Sequence, residues 1–79
     1  MEIKVLGTGC RNCKKTKAVV AEAVQELDID ADVVEVTDIV DIMAYGVMST
    51  PAVVIDGEVV RSGGVPTAQQ MTQLIQAAM

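Results

Sequence analysis

Short runs of β-branched and aliphatic residues alternate along the chain with longer stretches of helical periodicity. Four such runs predict strands, at residues 3–6, 33–36, 52–55 and 58–61. Asp56-Gly57 separates the last two runs, and this dipeptide is typical of a two-residue turn between antiparallel strands. Lys4 lies on the opposite face of its strand from Ile3 and Val5, which indicates a sheet face that is only partly covered.

Three stretches carry the periodicity of amphipathic helices. The first runs from about Cys13 to Leu27, where apolar side chains recur at the spacing i, i+3, i+4, i+7. A short second helix begins after Thr37 or Asp38, either of which can cap it, and ends at Gly46. We expect three of its side chains to share one face: Ile39, Ile42 and Met43.

The third helix follows Thr67, because Gln70 three residues later completes a capping box. Its buried stripe is predicted to comprise Met71, Leu74, Ile75 and Ala78. Three methionines are expected to act as flexible core fillers: Met43, Met48 and Met71.

The element order β-α-β-α-β-β-α predicts an α/β fold. The first strand-helix-strand crossover makes two strands parallel, and the hairpin adds an antiparallel pair. We therefore expect a four-stranded mixed sheet with three helices. No linker or repeat interrupts the 79 residues, which indicates a single domain over 1–79.

Composition narrows the classes of function. The chain has no histidine, which excludes serine-type catalytic triads and histidine-ligated zinc. A net charge of −5 argues against a nucleic-acid-binding protein. With no basic leader and no apolar stretch near the roughly 20 residues of a membrane span, we expect a cytoplasmic protein without a membrane partner.

The two cysteines lie in Cys10-Arg11-Asn12-Cys13, where the first strand's loop becomes the first helix. This C-x-x-C within a β-α-β unit predicts a dithiol redox site. Unpaired N–H groups at a helix N-terminus stabilise a thiolate. We therefore predict that Cys10 attacks a substrate disulfide and that Cys13, one step into the helix, releases the mixed disulfide.

Charge is distributed unevenly around these cysteines. Residues 7–20 carry four basic side chains, among them Lys14, and no acidic one, so the remainder of the chain carries −9. This local field is expected to lower the pKa of Cys10 below the ordinary value of about 8.5. The active face is thereby able to favour acidic partners despite the net negative charge.

Two other uses of the cysteines remain open from the residues alone. The thiolates could hold a soft metal such as copper or zinc in a carrier or sensor, with a dimer partner supplying further ligands. They could also be a buried, unreactive pair in a binding module.

Three segments together resemble the thioredoxin and glutaredoxin superfamily: the C-x-x-C loop, Ser49-Thr50-Pro51-Ala52-Val53-Val54-Ile55-Asp56-Gly57, and Gly63-Gly64 before the last helix. The chain is most similar to the small thioredoxin-like "redox-active disulfide" proteins of bacteria and archaea. The resemblance covers nearly the whole chain and implies a minimal thioredoxin fold.

The resemblance also implies roles for individual residues. A cis Thr50-Pro51 bond would lie against the dithiol, and Thr50 would pair with an extended substrate segment, beside Arg11 and Asn12 as further substrate contacts. Gly63-Gly64 lacks the acidic residue that accompanies glutathione binding in glutaredoxins, so it predicts a strand-to-helix turn instead.

The partners implied are a protein or small molecule that contains a disulfide and a flavoprotein of the thioredoxin-reductase type as electron donor. We expect a monomer that needs no metal and no bound cofactor.

Overall fold

The computed structural model describes residues 1–9 and 11–79. Its elements follow the predicted order: β1 (Glu2–Leu6), α1 (Arg11–Leu27), β2 (Asp32–Val36), α2 (Ile39–Ala44), β3 (Ala52–Ile55), β4 (Glu58–Ser62) and α3 (Ala68–Ala77). The strands form one mixed sheet in the order β2-β1-β3-β4. β1 pairs parallel with β2, while β1 with β3 and β3 with β4 are antiparallel. The predicted α/β fold is confirmed.

The helices divide unequally between the two faces of the sheet. Helices α1 and α3 pack on one side, which we call the α1/α3 face, against a buried aliphatic cluster that includes Ile3, Val5, Val20 and Ile75. Helix α2 covers part of the other side, the α2 face, over a smaller buried cluster: Leu6, Ile42, Ala52 and Val54. Strand alternation produces this division, because successive side chains of β1 and β3 point to opposite faces.

Local signals set the helix ends. Thr67 accepts a hydrogen bond from Gln70 N while the Gln70 side chain accepts one from Thr67 N, so the predicted capping box of α3 is present. Asp38, rather than Thr37, caps α2 through a hydrogen bond from Val40 N. Helix α1 begins at Arg11, two residues earlier than predicted, and carries no acidic side chain in its first turn.

Burial differs from expectation in α2 and in the segment after it. Only Ile42 is buried in α2, whereas Ile39 and Met43 are 60% and 67% exposed. Met48 is 98% exposed, so the expectation that Met43 and Met48 fill the core is wrong, while Met71 is fully buried. A helix of six residues has room for little more than one inward position over this sheet.

Candidate functional site

Gly7 and Cys13 bring the end of β1 against the first turn of α1. Cys13 is only 6% exposed, and Gly7 is buried beside it. A methyl group added at Gly7 would lie 2.9 Å from Cys13 Cβ and closer still to the sulfur. Only a residue without a side chain allows this approach. Gly7 was not singled out from the sequence, and its contact with the thiol was missed.

The first turn of α1 presents its other residues to solvent. Arg11, Asn12 and Lys14 are all exposed. Cys10 lies outside the described residues.

The buried hydroxyl of Thr16 makes a hydrogen bond within this first part of α1. Thr16, fully buried, donates a hydrogen bond of 2.8 Å from Oγ1 to the carbonyl oxygen of Asn12. The bond joins two consecutive turns of α1 at the level of Cys13 and gives the buried hydroxyl its hydrogen-bond partner. Sequence analysis missed Thr16, although a threonine on the apolar stripe of a helix was a signal that could have identified it.

The Thr50–Pro51 step lies at the same end of the sheet. Leu6 of β1 is opposite Ala52 of β3, so the next residues outward, Gly7 and Pro51, are neighbours across the sheet. The Thr50–Pro51 peptide bond is cis. Pro51 is fully buried, whereas Thr50 is exposed. Gly7 therefore lies between Cys13 on one side and Pro51, the residue before β3, on the other.

Gly63 and Gly64 lie beside Pro51 at this end of the sheet. Gly63 N donates a 2.8 Å hydrogen bond to the carbonyl oxygen of Pro51. Both glycines have positive φ, at 76° and 71°, a conformation that favours glycine. They make the predicted strand-to-helix turn, and they hold the backbone of β4 against Pro51.

A cavity of about 70 Å³ opens on the β2 side of Cys13. The cavity is lined by residues of α1, of the loop after β1 and of the β2 side. They include Cys13, Lys14, Gly7, Gly9, Glu35 and Thr37. Glu35 forms an ion pair with Lys17 of α1, with Oε1 and Nζ 3.3 Å apart. Glu35 was not singled out from the sequence, where it stands among other acidic residues.

A larger cavity, about 440 Å³, lies on the α2 face between Lys4, Val36 and Tyr45. Lys4 Nζ donates a 2.8 Å hydrogen bond to the Tyr45 hydroxyl and lies 3.4 Å from Glu2 Oε1. These contacts, with the hydroxyl first, raise the pKa of Lys4 above 10.5. The described residues that line this cavity include no cysteine, so the cavity is separate from Cys13 despite its size.

The described residues bring together no group of three or more cysteine or carboxylate side chains able to hold a metal ion. Likewise, no helix within residues 1–9 and 11–79 is long and apolar enough to cross a membrane.

A family model for the thioredoxin domain matches residues 1–76. The chain belongs to the thioredoxin domain family. It is 39% identical over 71 residues to a thioredoxin of Methanocaldococcus jannaschii, covering 90% of this chain and 81% of that protein. It is 32% identical over 75 residues to a thioredoxin of Methanothermobacter thermautotrophicus, covering 95% and 97%.

Membership confirms the resemblance inferred from the motifs and makes the chain part of a family of thiol–disulfide oxidoreductases.

Proposed function

We propose that this protein is a dithiol–disulfide oxidoreductase that works through Cys10 and Cys13. The observation that carries the proposal is the packing of Cys13 in the first turn of α1 against Gly7, which adjoins Pro51. A thiol held at this point is shielded from outside reactants, and it follows Cys10 by three residues, the spacing of a redox-active C-x-x-C motif. The proposal accounts for the buried cysteine and for the glycine beside it.

The reaction begins with Cys10, which precedes the first residue of α1 in sequence. Its thiolate attacks one sulfur of a substrate disulfide and forms a mixed disulfide, while the other substrate sulfur leaves as a thiolate and takes up a proton. The thiolate of Cys13 then attacks Cys10 Sγ. This step forms the Cys10–Cys13 disulfide and releases the second substrate sulfur, so two electrons pass to the substrate.

Substrate contacts follow from the exposed groups around Pro51. Thr50 presents backbone groups that can pair with an extended substrate segment, in the manner of an added strand. Arg11 and Asn12 flank the substrate from the start of α1, and Lys14 adds positive charge that favours the Cys10 thiolate.

No bound cofactor takes part in this scheme. The substrate is a protein or small molecule that contains a disulfide, and a flavoprotein of the thioredoxin-reductase type returns the electrons. A monomer in the reducing cytoplasm suits such a cycle.

Redox titration and trapping test the proposal. In dithiothreitol redox buffers we expect a reversible two-electron couple, and in alkylation across pH we expect a Cys10 pKa below about 8.5. Cys13→Ser is expected to hold a substrate as a stable mixed disulfide on Cys10, visible by mass spectrometry. Cys10→Ser is the matched control and should trap nothing by this route. Absence of the couple would overturn the proposal.

A further inference from the structure

Arg61, near the end of β4, is a half-buried cation without a counter-charge. Its Nε–H group is buried and has no hydrogen-bond partner among the described residues. Of the other basic side chains, Lys4 and Lys17 each lie beside a carboxylate, and the rest are exposed to solvent. Because a buried charged group without a partner costs free energy, an anion that reached Arg61 would make an interaction that the described chain leaves unmade.

The elements around Arg61 contain no acidic side chain. Strand β3, with which β4 pairs, is entirely apolar. Residues 62–79, which include the turn after β4 and helix α3, carry no charged side chain. Asp56 and Glu58 lie at the other end of the hairpin. A carboxylate for this guanidinium is therefore expected from a bound molecule.

A β-bulge directs Arg61 to the face of the sheet on which α1 carries Cys13. Val59 pairs with Val54, and both pack on the α2 face. Regular alternation along β4 would place Arg61, two residues later, on that same face. The register shifts instead, so that Arg61 pairs with Val53, a residue of the cluster under α1 and α3. Bulges re-aim side chains in this way beside functional sites.

The turn after β4 brings the guanidinium towards the exposed Thr50. Arg61 Nη2 lies 3.8 Å from the point that a Cβ on Gly64 would occupy. The residue before it, Gly63, donates a 2.8 Å hydrogen bond to the carbonyl oxygen of Pro51. Thr50 precedes Pro51, so a single two-residue turn connects the guanidinium with the segment proposed to pair with substrate.

We propose that Arg61 binds a carboxylate carried by the substrate segment that pairs with Thr50. The inference rests on the proposed function and deepens it, because it makes the preferred substrate a disulfide flanked by an acidic residue. A guanidinium donates two parallel hydrogen bonds to a carboxylate, and this geometry fixes where the acid lies relative to the disulfide. The exposed Arg11 and Lys14 make weaker contacts that water screens. Arg61 contacts the substrate and takes no part in the bond changes at sulfur.

Peptides that carry one cysteine as a thiopyridyl mixed disulfide measure this preference. Attack by Cys10 on the peptide sulfur releases thiopyridone, which is uncharged and absorbs light, so its release gives the second-order rate constant. Glutamate is placed in turn at the two positions on each side of the cysteine, and glutamine at the same position is the reference. The ratio of the two rate constants cancels any effect of a variant on the pKa of Cys10.

The parent protein is expected to react about tenfold faster with the glutamate peptide than with its glutamine counterpart at one of these positions, because hydrogen bonds to charged groups are strong. Arg61→Gln should abolish the preference and leave the rate with the glutamine peptide unchanged. Arg61→Lys keeps the charge without the planar fork and should retain a preference of about two- to threefold. Lys15→Gln makes the same change in net charge at an exposed position of α1, and this matched control should alter the preference by less than about twofold.

Three results would overturn the proposal. Equal rates for glutamate and glutamine at every position in the parent protein would do so without any variant. A preference that persists in Arg61→Gln would mean that another cation binds the acid. If Arg61→Gln slows both peptides of a pair equally, Arg61 has a structural role instead, and urea unfolding would show the accompanying loss of stability.

The two proposals fail in different ways. If the parent protein releases no thiopyridone from any peptide, the proposed oxidoreductase function fails, and the role of Arg61 fails with it. If release is rapid and glutamate makes no difference to it, only the role of Arg61 fails.

Discussion

The two faces of the sheet are built differently although the same strands supply both. On the α1/α3 face, two helices cover aliphatic side chains that are almost wholly buried. On the α2 face, a helix of six residues leaves Val34 41% exposed and Lys4 half-buried. The candidate site lies at the edge of the tightly packed face. Packing there holds the thiol against Gly7, whereas the α2 face has an open cavity and no thiol among its described residues.

The largest expected difference between the faces concerns isoleucines. Ile75 of α3 is fully buried, while Ile39 of α2 is 60% exposed. We expect Ile75→Ala to lower the free energy of unfolding by about 2–5 kcal/mol, because it removes buried methyl groups and leaves a cavity. Ile39→Ala, the matched control, should change it by no more than about 0.5 kcal/mol. Equal losses in urea unfolding would mean that the α2 face is packed as tightly as the other.

Glycines provide the second comparison. Gly7→Ala forces a methyl group onto Cys13 and should destabilise the protein by about 1–3 kcal/mol through overpacking. At Gly46, after α2, an added Cβ meets nothing within 4 Å, so Gly46→Ala carries only the cost of its positive φ of 76°, about 1–2 kcal/mol.

A double variant identifies the cause of the Gly7 effect. Cys13→Ala removes the sulfur but keeps Cβ, which would still lie 2.9 Å from the added methyl group. Gly7→Ala should therefore cost less in the Cys13→Ala background than in the parent, though not zero. Additive losses in urea unfolding would refute steric conflict with the thiol as the cause.

These comparisons show which parts of the molecule local sequence determines. Helix α3 and the hairpin at Asp56-Gly57 were predictable because a capping box and a turn dipeptide act within a few residues. The exposure of Ile39 and Met43 was not, because a six-residue helix is too short for periodicity to show which side chains the sheet will cover.

In the candidate site, too, some residues could be predicted from local sequence and others could not. Spacing and family resemblance predicted the cysteine pair and Thr50–Pro51. The contact of Gly7 with Cys13 and the position of Glu35 depend on the pairing of β1 with its neighbours and on how α1 lies across it. Such tertiary register is not encoded in any short motif, so these residues could be found only in the folded chain.

Helix caps provide a third comparison of the faces. Thr67 caps α3 in a full capping box, and Thr67→Ala should lower the free energy of unfolding by about 1 kcal/mol. Asp38 makes a similar single bond at α2. Because α2 buries only Ile42, Asp38→Ala is expected to increase amide exchange within α2 while changing global unfolding less than Thr67→Ala does. Hydrogen exchange followed by mass spectrometry measures both, and a larger global loss for Asp38→Ala would contradict the comparison.

The smallest expected effect belongs to the Lys4–Tyr45 contact on the α2 face. Since the folded state raises the pKa of Lys4 above 10.5, the contact stabilises the fold fully below that pH and loses its contribution as pH rises through the folded pKa. Tyr45→Phe removes the hydroxyl that accepts from Nζ and should lower the Lys4 pKa towards 10.5. NMR titration of the Lys4 side chain measures the shift, with Glu2→Gln as the control that removes the weaker contribution. If Tyr45→Phe leaves the Lys4 pKa unchanged, the Tyr45 hydroxyl does not bind the Lys4 ammonium in solution. The α2 face would then lack this contact beside its open cavity.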